Sequence, residues 1–396
     1  MNIINNLLSG LNNLQKVLVV AIVAIIIYSV SSGVSYSLIS SLAFKSNSSG
    51  SVSDNVSLPS AGGIVAENPN EPKTESCPIN GSMHTKQAKV IWDTRRPLAV
   101  MIENHLDARP QSGLSFADVV YEAVAEGGIT RFMAVFYCNS LGEVQVGPVR
   151  SARTYYLDWL SEYDALYAHV GGANSPGPAD ALGQIINYGI KDLNQFSIGF
   201  PTFWRDYQRL GRVVATEHTM YSTTTKLWDI GAKRGWTATD STGIKWDGNF
   251  VPWKFKDDSA GGDIKNITVS FWENQGDYRV DWSYDASCNC YKRKNGGSDH
   301  IDLDTKLQLS SKNIVIQFMK ESHANDGYEN NVHLLYTNKG QGKALIFQDG
   351  KVIEGQWMKA NRFLREKFVD KTGKEVSLNK GQIWIETVPE GSTVKY

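Results

Sequence analysis

The stretch from Arg96 to Gly172 constrains this chain most, because it packs charged residues into sequence that otherwise reads as buried structure. Apolar, strand-like pieces at Leu98–Ile102, Phe132–Tyr137 and Leu166–Val170 alternate with pieces of helical amphipathic pattern. The polar groups gather at the joints: Glu103, Asn104, Arg109, Glu122, Glu126, Arg131, Arg150, Arg153 and His169. Charge placed where strands end is the usual arrangement of a site on an α/β scaffold.

Read onward, this alternation predicts an α/β domain over residues 87–240, a mixed sheet with covering helices. Ser115-Phe-Ala-Asp118 resembles a capping box and predicts a helix to Glu126 that Gly127-Gly128 would stop. Ser151 is expected to cap a second helix running to Tyr163. Residues 241–396 read differently. Short alternating runs such as Tyr278–Tyr284, Lys312–Met319 and Gln382–Glu386, punctuated by Asn295-Gly-Gly and Gln348-Asp-Gly, predict a mostly antiparallel β domain.

The N-terminus carries an apolar run from Val17 to Phe44 with no charge, bracketed by Lys16 and Lys45. It exceeds the about 20 residues that span a bilayer core. Residues 1–45 are therefore expected to hold a single-pass transmembrane signal anchor, with a cleaved signal peptide as the rival reading. Residues 46–86 begin with Ser-, Asn-, Gly- and Pro-rich sequence that reads as a flexible linker. A tether after an anchor points to a body held outside the cytoplasm. The formal net charge is −1 and no basic block appears, which argues against a nucleic-acid partner.

Four cysteines, Cys77, Cys138, Cys288 and Cys290, are compatible with disulfides. Cys77 with Cys138 would tie the end of the tether to a strand. Cys288 and Cys290 look too close for an easy bridge. The histidines show no metal-binding spacing, and G-x-G-x-x-G and Walker A patterns are absent, so neither metal nor cofactor is expected. His300-Ile-Asp302-Leu-Asp304 reads as a solvated strand face.

Val149-Arg-Ser-Ala-Arg153 is the sharpest local feature. If Ser151 caps a helix, Arg150 and Arg153 stand at the positive end of its dipole and would attract an anion. The competing reading is internal neutralisation by Glu122, Glu126 or Asp158. Gly171-Gly172-Ala-Asn-Ser175 is a second candidate cradle. Glu122 and Glu126, four apart on the expected helix, form a carboxylate pair able to serve glycoside hydrolysis, with His169 as a further acid/base. The same glutamates could instead pair with Arg131.

At these residues the chain resembles the YerB-like family of bacterial envelope proteins. The resemblance rests on Ile102-Glu-Asn104, Ala108-Arg-Pro-Gln-Ser-Gly-Leu114, Glu126-Gly-Gly-Ile-Thr-Arg-Phe132, Gly147-Pro-Val-Arg-Ser-Ala-Arg153, Phe203-Trp-Arg-Asp206 and Glu217-His-Thr-Met-Tyr221, and on Gln348-Asp-Gly-Lys351 and Gly381-Gln-Ile-Trp-Ile385 near the C-terminus. It implies a domain of unknown function followed by a smaller C-terminal domain, with attachment outside the cytoplasm and no established reaction. Family members are often lipoproteins, whereas this chain lacks the lipobox cysteine. Where relatives tend to show Pro-His-Asn, it has Glu217-His218-Thr219. Together these readings nominate Asn104, Arg109, Arg131, Arg150, Ser151, Arg153, Gly171, Gly172, Arg205 and His218 as ligand-binding residues. Three functions fit: binding of an anionic group on a cell-wall polymer, hydrolysis or lysis of that polymer through Glu122, Glu126 and His169, and docking of other envelope proteins.

Overall fold

The computed structural model describes residue 68 and residues 70–396. Among these, no helix is long and apolar enough to cross a membrane. The expected transmembrane helix and most of the expected linker lie outside the described residues.

The architecture is β-rich with few helices. Ten strands form one mixed sheet, in the order Lys367–Asp370, Lys351–Lys359, Gly340–Gln348, Asn313–Met319, Ile383–Pro389, Val119–Glu126, Ile129–Phe136, Leu98–Glu103, Leu166–His169 and Lys191–Asn194. Both stretches that the sequence sets apart, 87–240 and 241–396, therefore supply strands to the same sheet. They meet where Ile383–Pro389 runs parallel to Asn313–Met319 on one side and to Val119–Glu126 on the other. A second sheet, built on Asn266–Val269, Val280–Asp285 and Cys290–Asn295, is antiparallel. Trp282 of that sheet packs edge-on against Trp384 of the large one, with ring centroids 5.4 Å apart.

The expected helix from Asp118 to Glu126 is instead a strand. Val119 to Ala125 are all wholly buried, so the segment has no polar face to turn outward, and its valines suit a strand covered on both sides. Gly127 and Gly128 do not stop a helix. Both have positive φ, 56° and 82°, and form the two-residue hairpin turn into Ile129–Phe136. Asp118 is no cap either. Its carboxylate accepts backbone N–H groups of Tyr137 at 2.6 Å and Cys138 at 3.1 Å, pinning the far end of the neighbouring strand.

The second expected helix is real but shorter and shifted. It spans Thr154–Leu160, and its N-cap residue is Arg153, with no side-chain cap bond; Ser151 lies outside it. Cys77 and Cys138 are bonded as expected. Cys288 and Cys290 are bonded too, against expectation. Asn289 between them adopts left-handed backbone at φ 47°, which brings the two Cα atoms to 5.2 Å. Most tryptophans are core, with Trp92, Trp159, Trp282, Trp357 and Trp384 fully buried.

Candidate functional site

The sequence-nominated residues separate into three groups. The first surrounds Glu126, at the end of its strand. Its carboxylate takes Arg131 Nη2 at 2.7 Å and is also bonded by Arg153 Nη2. Arg131 Nη1 donates to the Ser151 carbonyl at 3.0 Å. Burial alone would raise the Glu126 carboxyl, but Arg131, Arg153 and Arg150 hold it down to about 2. Arg153 is thus neutralised internally and buried, as the competing reading supposed. The glycine loop beside it is likewise occupied. Gly171 N–H donates to Asn194 Oδ1 at 3.1 Å, and its carbonyl accepts Ala152 N–H at 2.9 Å. His169 is fully buried, with Nδ1 2.7 Å from the Gly171 carbonyl and Nε2 2.7 Å from Asp192, so neither ring nitrogen faces an open space.

The second group is a buried polar network joining the two halves of the chain. Glu122 accepts from Thr130 at 2.7 Å and from Arg293 Nη2 at 2.6 Å, and both partners of that ion pair are fully buried. Arg293 lies against the Trp384 ring, 4.7 Å from its centroid. Asn104 donates to Thr130 at 2.7 Å, while its Oδ1 accepts from Arg109, Gln111 and Asn295. His300 Nε2 meets Gln111 Oε1 at 2.7 Å. Asp302 is buried as well, accepting from the Gly113 and Ser115 amides at 3.0 and 3.1 Å. Of the expected solvated face, His300 and Asp302 are instead interior contacts between distant segments, while Asp304 is exposed.

The third group surrounds the turn Thr216–His218, where buried Glu103 and His218 adjoin the partly exposed Arg150 and the exposed Arg205. His218 Nδ1 is 2.9 Å from Glu103 Oε2. Glu103 Oε1 lies 3.1 Å from Arg150 Nε, an ion pair whose N–H is turned off the hydrogen-bond direction. His105 stacks on His218, with ring centroids 4.6 Å apart and planes within 8°. Arg205, exposed, donates to Thr216 O and, at 3.4 Å, to Thr219 Oγ1, and has no carboxylate partner among the described residues. The Glu103 hydrogen bond raises the His218 pKa against the opposing effect of burial. With Nδ1 committed to Glu103, Nε2 is the nitrogen left without a partner among the described residues.

One ligand atom each from His105, Asp107 and His218 lie within 4.8 Å of one another. Two of these groups are already engaged. His105 Nδ1 accepts the Asp107 amide at 3.2 Å, and Asp107 pairs with Arg212 at 2.9 Å. The cluster is a salt-bridged surface rather than an open metal cage. Sequence reasoning brought Arg150, Arg205 and His218 forward but missed His105, Asp107, Arg293 and Asn295. The last two sit in the β-rich half, where no local motif marks them.

These modules of undescribed chemistry have counterparts. Residues 82–237 match the family model described as the protein of unknown function (DUF3048) N-terminal domain, and residues 267–385 match its C-terminal domain. The chain is 31% identical over 323 residues to the Bacillus subtilis (strain 168) protein described as "Putative lipoprotein YerB", covering 81% of this chain and 88% of that one. It belongs to the YerB-like family. A crystal structure of YerB protein from Bacillus subtilis superposes with a TM-score of 0.66 at 27% identity, covering 81% of this chain and all of that one.

Proposed function

We propose that this chain is held at the membrane with its body outside the cytoplasm, where the His218 face binds an anionic group of a cell-envelope polymer. The attachment reading draws on the description of the related protein as a lipoprotein and on the apolar run Val17–Phe44, which would serve here as the anchor. The binding reading rests on one observation. Glu103 joins Arg150 to the largely buried His218, and the exposed Arg205 is held on Thr216 and Thr219, the residues that flank His218 in its turn. An anion there would gain charge-assisted hydrogen bonds from groups already positioned. Arg153 and the Gly171–Gly172 loop, first nominated for the same task, are committed to internal partners.

The test is sedimentation of the full-length protein, in detergent, with purified insoluble cell wall. Wild type is expected in the pellet, and Arg205→Ala and His218→Gln largely in the supernatant. Equal pelleting of all three would sink the proposal. A hydrolase reading now has better support at the Glu103–His218 pair than at Glu122, which is wholly buried and saturated by Arg293 and Thr130. Wall fragments released by wild type and absent with His218→Gln would move the function from binding to catalysis.

A further inference from the structure

A cleft of about 350 Å³ opens on the other side of the loop that carries His105 and Asp107, between the two halves of the chain. Its walls include Leu106, Pro110 and Ile301, and its polar lining includes Arg109, Asn295 and Asp299. Volume and mixed lining suit a small molecule.

Arg109 is its unusual feature. Its guanidinium donates only to Asn104, to the carbonyl from Nε at 3.2 Å and Nη2 at 3.1 Å and to Oδ1 from Nε at 3.1 Å, and it meets no carboxylate. The Tyr278 ring lies 5.1 Å from its carbon. The remaining nitrogen, Nη1, faces Gly296, where an added Cβ would come within 3.2 Å of it and 2.7 Å of the Asp277 carbonyl. Gly296, at φ 61°, thus keeps space open beside the charge.

Among the described residues no carboxylate lies in ion-pair contact with Arg109; Glu122 and Asp277 act on it only at longer range. Glu122 is matched by Arg293. Burial, with Arg293 and Arg109 nearby, holds His300 well below its ordinary range, so it is neutral. Burial and the neighbouring Glu122 push Glu386 up to about 8, so it is protonated at neutral pH. Asp277 and Asp299 near the cleft are exposed to water, which screens them. Asp302, the other buried carboxylate of the network, is held by the Gly113 and Ser115 amides and not by a guanidinium, and burial pushes Arg109 itself down to about 10. A partly buried cation with no carboxylate in contact is costly. A second group points the same way. Asn295 lines the cleft, its Nδ2 is fixed on Asn104 Oδ1 at 2.8 Å, and its own Oδ1 is buried without a donor.

We propose that this cleft binds a small carboxylate bearing an adjacent hydrogen-bond donor, as in an amino acid or the carboxyl end of a short peptide. The carboxylate pairs with Arg109, the donor satisfies Asn295 Oδ1, and an apolar side group meets Leu106, Pro110 and Ile301.

The experiment is calorimetric titration of the full-length protein in detergent with alanine, alanyl-alanine and alanyl-alanine amide. It is run on wild type, Arg109→Gln and Ser298→Trp; Ser298 is an exposed rim residue whose replacement leaves the core untouched. At least one carboxylate probe is expected to bind, and the amide to bind roughly ten- to a hundredfold more weakly. Arg109→Gln should lose the preference for acid over amide, and Ser298→Trp should block binding. Binding of alanine alone identifies a free amino acid as the occupant, and of the dipeptide alone a peptide end. Equal binding of acid and amide, wild-type affinity in either variant, or no binding of any probe at millimolar concentration overturns the proposal.

Discussion

Glu126 stands between two buried guanidiniums, and its removal would strand both. Glu126→Gln is expected to cost about 3 kcal/mol, the usual penalty for breaking such a pair from one side, measured by urea denaturation at neutral pH. Its depressed pKa fixes the pH window. The unfolded carboxyl titrates near 4.5 and the folded one near 2, so the contribution is complete above the first value and disappears as pH falls toward the second. Wild type should lose this margin across that interval while Glu126→Gln does not. His218 has the opposite sign. Its raised pKa means that the cationic form is favoured in the folded state, with full benefit below its ordinary value of 6.5 and loss as pH rises through the folded pKa. Wall binding by wild type should therefore weaken on raising pH through that range. At this scale the sequence offered Glu126 as a partner of Arg131 and Arg153, which the structure bears out, but not Glu103 as the partner of Arg150. Arg150 and Arg153 read equally as an anion site or as an internally neutralised pair, because nothing local reveals which strand delivers a carboxylate to each.

The elements were legible where their period was clean. Strands at Leu98–Glu103, Leu166–His169 and Asn313–Met319 fall within a residue or two of their sequence signatures, and Ile129–Phe136 begins three residues before the apolar piece that marks it. Val119–Glu126 was not legible as a strand, because a segment buried on both faces alternates nothing, and a capping-like tetrapeptide preceded it. The two disulfides differ in what they can do for stability. Cys77 and Cys138 are 61 residues apart and Cys288 and Cys290 only 2, and a bridge restricts the unfolded chain more as its loop lengthens. Replacing both Cys77 and Cys138 by serine should cost about 2–4 kcal/mol. The matching double replacement at Cys288 and Cys290 should cost less. Paired thermal melts would show the ranking, and a reversed order would refute it.

At the scale of the molecule, the halves are joined through charge as well as through strands. Arg293 neutralises Glu122 across the boundary, and Lys359 and Arg365 do the same for Glu162. Arg293→Met should therefore destabilise the N-terminal half as strongly as its own, and calorimetry should record one transition rather than two, since neither half keeps its ions paired alone. Glu386 adds a pH term of its own. Its folded pKa of about 8 exceeds the ordinary 4.5, so the unfolded chain ionises first and stability declines as pH rises between those values. Glu386→Gln should flatten that decline. None of this was visible in sequence, because the paired residues are separated by more than a hundred positions and lie in stretches of different character.

The last long strand, Ile383–Pro389, fills the centre of the ten-stranded sheet, so the chain cannot finish its core until its closing residues arrive. During synthesis the earlier strands must wait, with the facing edges of Asn313–Met319 and Val119–Glu126 unpaired and open to mispairing. A chain interrupted before Ile383 would leave that central gap in the sheet unfilled.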